Sequence, residues 1–411
     1  MSEIEVEEIS KDKESLSRAC IVSVGSRKIP TPTRAIAVTR SSTTQLEGAI
    51  PVISGDFRPF GEVYAQVSIG FLANLIEHDE EGRKFSGAIS HRVSQLRQAG
   101  VVPYLVLSLL DNEGNFYPRL PPKNVMTLLF DILWGTEGNE VIVPPLLGIL
   151  ETESEYVKLI DAIEGRRRSA VDRNHRPVMA VVPSAYRLVA PEIVERYWKM
   201  GCRFFAFNLE NKKLGAYGYI IERLHSELTA LSKRDKESYA LHALNSRMRM
   251  GRGDSMRVND LLAPGFGFDS FGPSHGGRQR WVPPAGRTTK PTETTYLLDN
   301  QTYGFFPVES IASLGRGSRQ LVELDTAAFK KIDISSLRDL RSDQLTSACL
   351  AHNVEKELRE VRSFPELIEE GELTDYFSGK ERVIEDVRRM KSFAGLKKGA
   401  TKPIGLDGWF S

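Results

Sequence analysis

Residues 268–278 read Phe268-Asp269-Ser270-Phe271-Gly272-Pro273-Ser274-His275-Gly276-Gly277-Arg278. An apolar run, a carboxylate, a Gly-rich turn and a cation follow one another. That order suits a strand whose end presents a carboxylate beside an anion-binding loop, which is how a barrel enzyme displays a nucleophile. The same residues also suit an Asp capping a turn, with Gly supplying positive φ. Arg278 and the amides of Gly276 and Gly277 are placed to hold a phosphate. His275 either contacts substrate beside Ser274 or merely sits in the loop. A second cationic stretch, residues 245–257 (NSRMRMGRGDSMR), carries four arginines interleaved with Met and Gly. On a catalytic face, Arg247, Arg249 and Arg252 would track a phosphate backbone. The alternative is a solvated helix face.

These groups need elements to hold them. Residues 34–39 (RAIAVT) and 51–54 (PVIS) are short strand candidates. Residues 101–110 (VVPYLVLSLL) and 141–150 (VIVPPLLGIL) each follow a helical pattern, and Gly100 sits where a C′ glycine would. From Pro177 the reading is clearest: PVMAVVP, a helix opened by Pro191, CRFFAFNLE, a long amphipathic helix, SYALHAL, a helical stretch and FGFD. Apolar strands alternating with helices argue for a parallel sheet covered on both faces. At least five such units favour an α/β (β/α)8 TIM-type barrel over an open sheet. Phe204, Phe205 and Phe207 read as barrel core, with one aromatic available to a pocket. The expected organisation is a flexible acidic leader over 1–18, a barrel over 19–330 and a C-terminal helical extension over 331–411.

Composition narrows the function. The 411 residues carry 55 basic and 54 acidic side chains, which excludes a globally basic nucleic-acid binder but leaves a local basic face open. Cys20, Cys202 and Cys349 form no CxxC pair, so neither a disulfide framework nor a Cys-rich zinc site is expected. No apolar run reaches the roughly 18 residues that span a bilayer. The N-terminus has none of the marks of a signal peptide. A cytoplasmic protein without membrane contact is the expectation.

The Asp269 segment resembles the nucleophile motif of the guanine transglycosylases, which exchange guanine in tRNA for a 7-deazaguanine and include a branch acting on DNA. The family pattern is Phe-Asp, three variable residues, Pro, Thr, Arg, any residue, Gly, Arg. This sequence keeps Phe268, Asp269, Pro273, Gly277 and Arg278, with Ser274 for Thr and His275 for Arg. Thr31-Pro32 before RAIAVT is similar to the family's entry into its first strand. Residues 177–210 resemble the strand–helix–strand that shapes the base pocket, and Ala351-His352-Asn353 resembles its downstream His-Asn. The resemblance runs from about residue 31 to 355, and the Asp269 segment is its specific part.

The resemblance implies that Asp269 attacks the sugar carbon as guanine leaves, so that the configuration is retained after the incoming base attacks in turn. A second carboxylate would handle the proton. Asp111 precedes a Gly-containing turn as the family's second Asp does in Asp-Ser-Gly-Gly-Phe, and Asp56 in Ile53-Ser54-Gly55-Asp56-Phe57 competes. Either is alternatively a turn Asp making an Asx hydrogen bond. Asn208-Leu209-Glu210 stands where tRNA enzymes carry Gly-Gly-Leu, which makes Asn208 and Leu209 substrate-binding candidates. Other departures are as telling. The zinc cysteines are absent, so no metal is expected and His352 reads as an ordinary helix histidine. Val182-Pro183 replaces the pocket Gln, and Val143-Pro144-Pro145 stands where an Asp would recognise the heterocycle.

These departures point toward a divergent, DpdA-like DNA-modifying branch. The expected activity is a pentosyltransferase without cofactor that exchanges guanine in nucleic acid, DNA before tRNA. The incoming base would be a 7-deazaguanine such as 7-cyano-7-deazaguanine. A target in duplex would have to be flipped out, with partner proteins giving access to the DNA. The alternatives are a catalytically inactive barrel that binds nucleic acid or serves as a partner subunit, a tRNA enzyme lacking the zinc site, and an unrelated barrel enzyme.

Overall fold

In a computed structural model, the residues described are 4–39, 42–54, 57–169, 176–184, 190–251, 256–275, 295–308, 323–330 and 342–399. The chain starts with an antiparallel sheet of β1 (Ile4–Lys11), β2 (Arg18–Val24) and β3 (Arg27–Thr31). The leader expected to fray is therefore a strand from residue 4 on. Ile4 is buried with Val22, Val24 and Ile29, while Glu5 and Glu7 face water, the period of a strand covered on one side.

Next come β4 (Thr33–Arg34), β5 (Ile36–Val38), α1 (Thr44–Ala49), β6 (Phe60–Ser68), α2 (Ile69–Glu77), α3 (Asp79–Gln98) and β7 (Val102–Leu110). They are followed by α4 (Lys123–Gly135), β8 (Val141–Ile142), α5 (Glu153–Ser169), β9 (Met179–Val182), α6 (Ala190–Lys199), β10 (Phe204–Asn208), α7 (Gly218–Asp235) and β11 (Ala240–Leu244). The remaining strands are β12 (Arg249–Met250), β13 (Arg257–Val258), β14 (Ser270–Phe271), β15 (Tyr296–Asp299) and β16 (Gly304–Pro307). Helices α8 (Ala327–Lys330), α9 (Ser342–Glu370), α10 (Leu373–Ser378) and α11 (Ile384–Gly399) end the described chain.

Two sheets are wholly parallel, in the orders β5-β6-β7-β8 and β4-β14-β11-β10-β9. A parallel bridge joins Ile142 to Val178. At the other margin only Ala35 separates β4 from β5, and its N–H reaches the Phe271 carbonyl at 2.7 Å. The faces turned away from the helices share an apolar cluster that includes Phe60, Tyr104, Met179, Phe204 and Ala240. The Phe60 and Phe204 rings, from different sheets, meet at 5.2 Å. Val22, Val24 and Ile29 join the same cluster, so the β1–β3 sheet packs on the same apolar face. A smaller antiparallel sheet, β12-β13-β16-β15, packs beside α9.

Three local expectations change. Residues 51–54 make a turn and one isolated bridge, Ser54 to Phe57, and the strand of that region is β6. In the 141–150 run only Val141–Ile142 is strand, because Pro144 and Pro145 lack the N–H that a ladder needs. The arginine-rich stretch enters β12 as a strand, so a helix face is excluded for Arg249. Among the described residues no helix is long and apolar enough to cross a membrane.

Candidate functional site

Asp269 immediately precedes β14, so it stands at the start of that strand, whereas the sequence suggested its end. Its N–H donates to the Leu241 carbonyl (2.7 Å), and its carbonyl accepts from Thr33 N–H (3.1 Å). Ser270, next along, bonds His242 in the interior, and successive strand residues point to opposite faces. The Asp269 side chain accordingly turns the other way. There Arg18 Nη2 meets Oδ2 at 2.6 Å, the Leu241 N–H donates to the same oxygen at 2.6 Å, and Cys20 Sγ lies 3.4 Å from Oδ1. The Arg18 guanidinium covers the Tyr239 ring at 3.9 Å. Asp269 has no exposed surface. Burial pushes its carboxyl above the ordinary range, against the pull of Arg18. The geometry is that of a buried structural ion pair with no face open to a sugar carbon.

Asp111 lies past the opposite end of its own strand, half-buried, directly after β7. Its Oδ1 accepts from the Glu113 and Asn115 N–H groups at 2.9 and 2.8 Å, the Asx turn weighed above. The Asn115 N–H, foremost, holds this carboxyl below its ordinary value. Asp269 and Asp111 therefore do not face each other, and the expected pairing of nucleophile and proton carrier is corrected. Asp56, Gly276, Gly277, Arg278 and Arg252 lie outside the described residues.

The interior instead gathers a polar group around Glu62. Glu62 is the sole carboxylate within the nine parallel strand segments described, and it is fully buried. The Tyr104 hydroxyl donates to Glu62 Oε2 at 2.9 Å and lies 3.1 Å from His242 Nε2. His242 Nδ1 lies 2.8 Å from Ser270 Oγ. With its hydroxyl proton directed to Glu62, Tyr104 accepts from His242 Nε2–H, which leaves Nδ1 to accept from Ser270. Burial pushes His242 down to about 4, against the pull of Glu62, which keeps the ring neutral at pH 7. From the other side His275 Nε2 is hydrogen-bonded to Glu62 Oε1, and the His275 ring stacks on Tyr64. Gly272 leaves room for the group, since a Cβ there would lie 2.8 Å from Glu62 Oε2 and 3.2 Å from His242 Nε2.

The other candidates divide. His275 belongs to this group, and its N–H donates to Asn245 Oδ1 at 2.7 Å. Ser274, half-buried next to it, bonds Asn211 Oδ1 through its hydroxyl. Asn208 forms a turn by accepting from Glu210 N–H at 3.1 Å, and lines an open cleft with Pro144, Pro183, Ser184 and Glu210 beyond the ends of β8, β9 and β10. Leu209 is buried in the core between strands and helices, away from the Glu62 group. Arg247 is exposed, and the Arg249 guanidinium lies 5.0 Å from the Tyr296 ring, so neither approaches Glu62. His352 is buried in α9, bonded through Nδ1 to Thr326 Oγ1 at 2.8 Å and edge-on to Phe329. Among the described residues no grouping of His, Cys, Asp and Glu could hold a metal.

Sequence reasoning missed β6 and hence Glu62, Tyr64 and Gln66. The signal was present in FGEVYAQVS, where polar residues alternate strictly with Val63, Ala65 and Val67, which pack on the helix side. Comparison of the chain with protein-family models gives no match, and comparison with curated proteins gives no significant one.

Proposed function

We propose that the two parallel sheets are arcs of one (β/α)8 barrel that binds a nucleobase or nucleic-acid ligand without exchanging the base through Asp269. Closure is supported by the Ile142–Val178 bridge, by the near-continuity of β4 with β5, and by ring contacts across the interior. In such a barrel the site is built where the strands end in their C-terminal loops. The observation that carries the binding reading is the burial of Asp269 against Arg18, on the face opposite Ser270. Retaining displacement at a sugar carbon uses two carboxylates on the substrate. Among the described strands the interior supplies one, Glu62. The nucleic-acid side of the reading rests on the transglycosylase resemblance, in its non-catalytic form.

Labelled guanine incubated with the protein and either tRNA or double-stranded DNA tests this. No label enters either polymer under conditions where gel shift shows the polymer bound. Incorporation by wild type that is lost in Asp269→Asn, with the variant still folded, would overturn it. A second reading, a barrel enzyme using acid–base chemistry, is favoured by the oriented chain from Ser270 through His242 and Tyr104 to Glu62. Label that enters in wild type and in Asp269→Asn but not in Glu62→Gln would select it.

A further inference from the structure

An open groove of about 390 Å3 lies at the end of the parallel strands where β7 and β8 begin, away from the C-terminal loops. Arg27 of β3 lines it, with Ser94, Arg97 and Gln98 of α3 and with Glu137 and Gly138 from the α4–β8 connection. The carboxylate beside it, Glu140, faces Arg27 Nη1 at 3.0 Å and Arg97 Nε at 3.6 Å. Arg176, which donates to the Thr136 carbonyl at 2.9 Å, also acts on Glu140. Three guanidiniums around one carboxylate leave positive charge in surplus. Glu137, exposed on the rim, offsets only part of it. We infer that this groove binds the terminal phosphate or pyrophosphate group of a small ligand.

The donors are suited to that group. Among the described residues, neither terminal nitrogen of Arg97 has a hydrogen-bond partner, so its planar fork is open to two oxygens of one anion. Gly138 has φ of 80°, and a Cβ there would lie 2.8 Å from Arg97 Cδ. The arginine stem therefore lies along bare backbone, and a stem already ordered loses less freedom on binding. Ser94 precedes Arg97 and Gln98 by three and four positions, which puts all three on one face of α3. Gln98 Nε2 donates to Ser94 Oγ at 3.4 Å, leaving the Ser94 proton for a ligand oxygen. The groove has the volume of a small-molecule site. Glu137 on its rim repels an extended polyanion, so a nucleic-acid backbone is the poorer occupant.

Pyrophosphate titrated by calorimetry into the full-length protein at low salt binds wild type, and binds Arg97→Gln about tenfold or more weakly. Arg97 is half-exposed, so the unliganded variant melts close to wild type, while the rise in melting temperature that pyrophosphate gives wild type is lost. Arg168→Gln, which removes an exposed arginine of α5, leaves the affinity unchanged. Inorganic phosphate displaces pyrophosphate, and a short DNA duplex does not. No heat with pyrophosphate in wild type, or equal affinity in Arg97→Gln, would refute the inference. Displacement by the duplex would refute the assignment to a small ligand. If circular dichroism shows Arg97→Gln unfolded, Ser94→Asp carries the same comparison by setting a negative charge on the exposed face of α3. The groove and the C-terminal loops lie at opposite ends of the strands, so loss of pyrophosphate binding and loss of nucleobase or nucleic-acid binding are separate results.

Discussion

Arg18 and Asp269 meet at 2.6 Å across 251 positions of chain, Asp269 wholly buried and Arg18 nearly so, with Glu8 3.5 Å from the other guanidinium nitrogen. The contact ties the N-terminal sheet to the start of the last parallel strand. Removing one partner of a buried pair strands the other charge. Asp269→Asn is expected to lower unfolding free energy by about 3–5 kcal/mol in urea titration. A combined Arg18→Met, Asp269→Leu protein should lose much less, since apolar replacements of a whole pair are often tolerated. A loss below about 1 kcal/mol in the single variant would speak against a structural role.

Stability should depend on His242 and His352, both pushed down to about 4 by burial from an ordinary 6.5. Below pH 6.5 the unfolded chain takes up protons that the folded chain refuses. Stability is therefore full above about pH 6.5 and falls as pH drops toward about 4, by on the order of 3 kcal/mol for each ring. Urea midpoints across that window should decline, and less steeply in His242→Asn. A flat profile in wild type would remove both assignments.

Gly272→Ala should destabilise by about 1–3 kcal/mol, because its methyl group meets the Glu62 carboxylate at 2.8 Å. Thermal melts of the variant measure this. An unchanged midpoint would mean that the Glu62 group yields freely.

Asp111→Ala removes the acceptor of a turn at the end of β7 and nothing from the Glu62 group. Guanine affinity is expected to match wild type, while the melting midpoint falls slightly because the turn loses its acceptor. A large loss of guanine affinity would return Asp111 to the site, through the groove it shares with Gln66.

Much of the architecture was legible. The alternation of apolar runs with helical patterns pointed to parallel strands under helices, and the ends of β7, β9, β10 and β11 lie within two residues of those of the runs that suggested them. Strand β6 was missed although its alternation is legible, and what the segment alone could not show is that Glu62 and Tyr64 meet Tyr104 and His275. Asp269 misled for a related reason. A carboxylate before a Gly-rich turn looks the same whether it ends a strand or begins one.

By itself, the sequence determined the order of elements and the residue types available, since periodicity and turn chemistry are local. It carried Glu62, Tyr64, His242 and His275 at positions up to 213 residues apart without saying that they meet. Tertiary structure decided the face each side chain takes. Side chains alternate along a strand, so one residue of phase puts Ser270 and Gly272 inside and sends Asp269 to Arg18. That phase is set by pairing with β11 and β4, which no single segment contains.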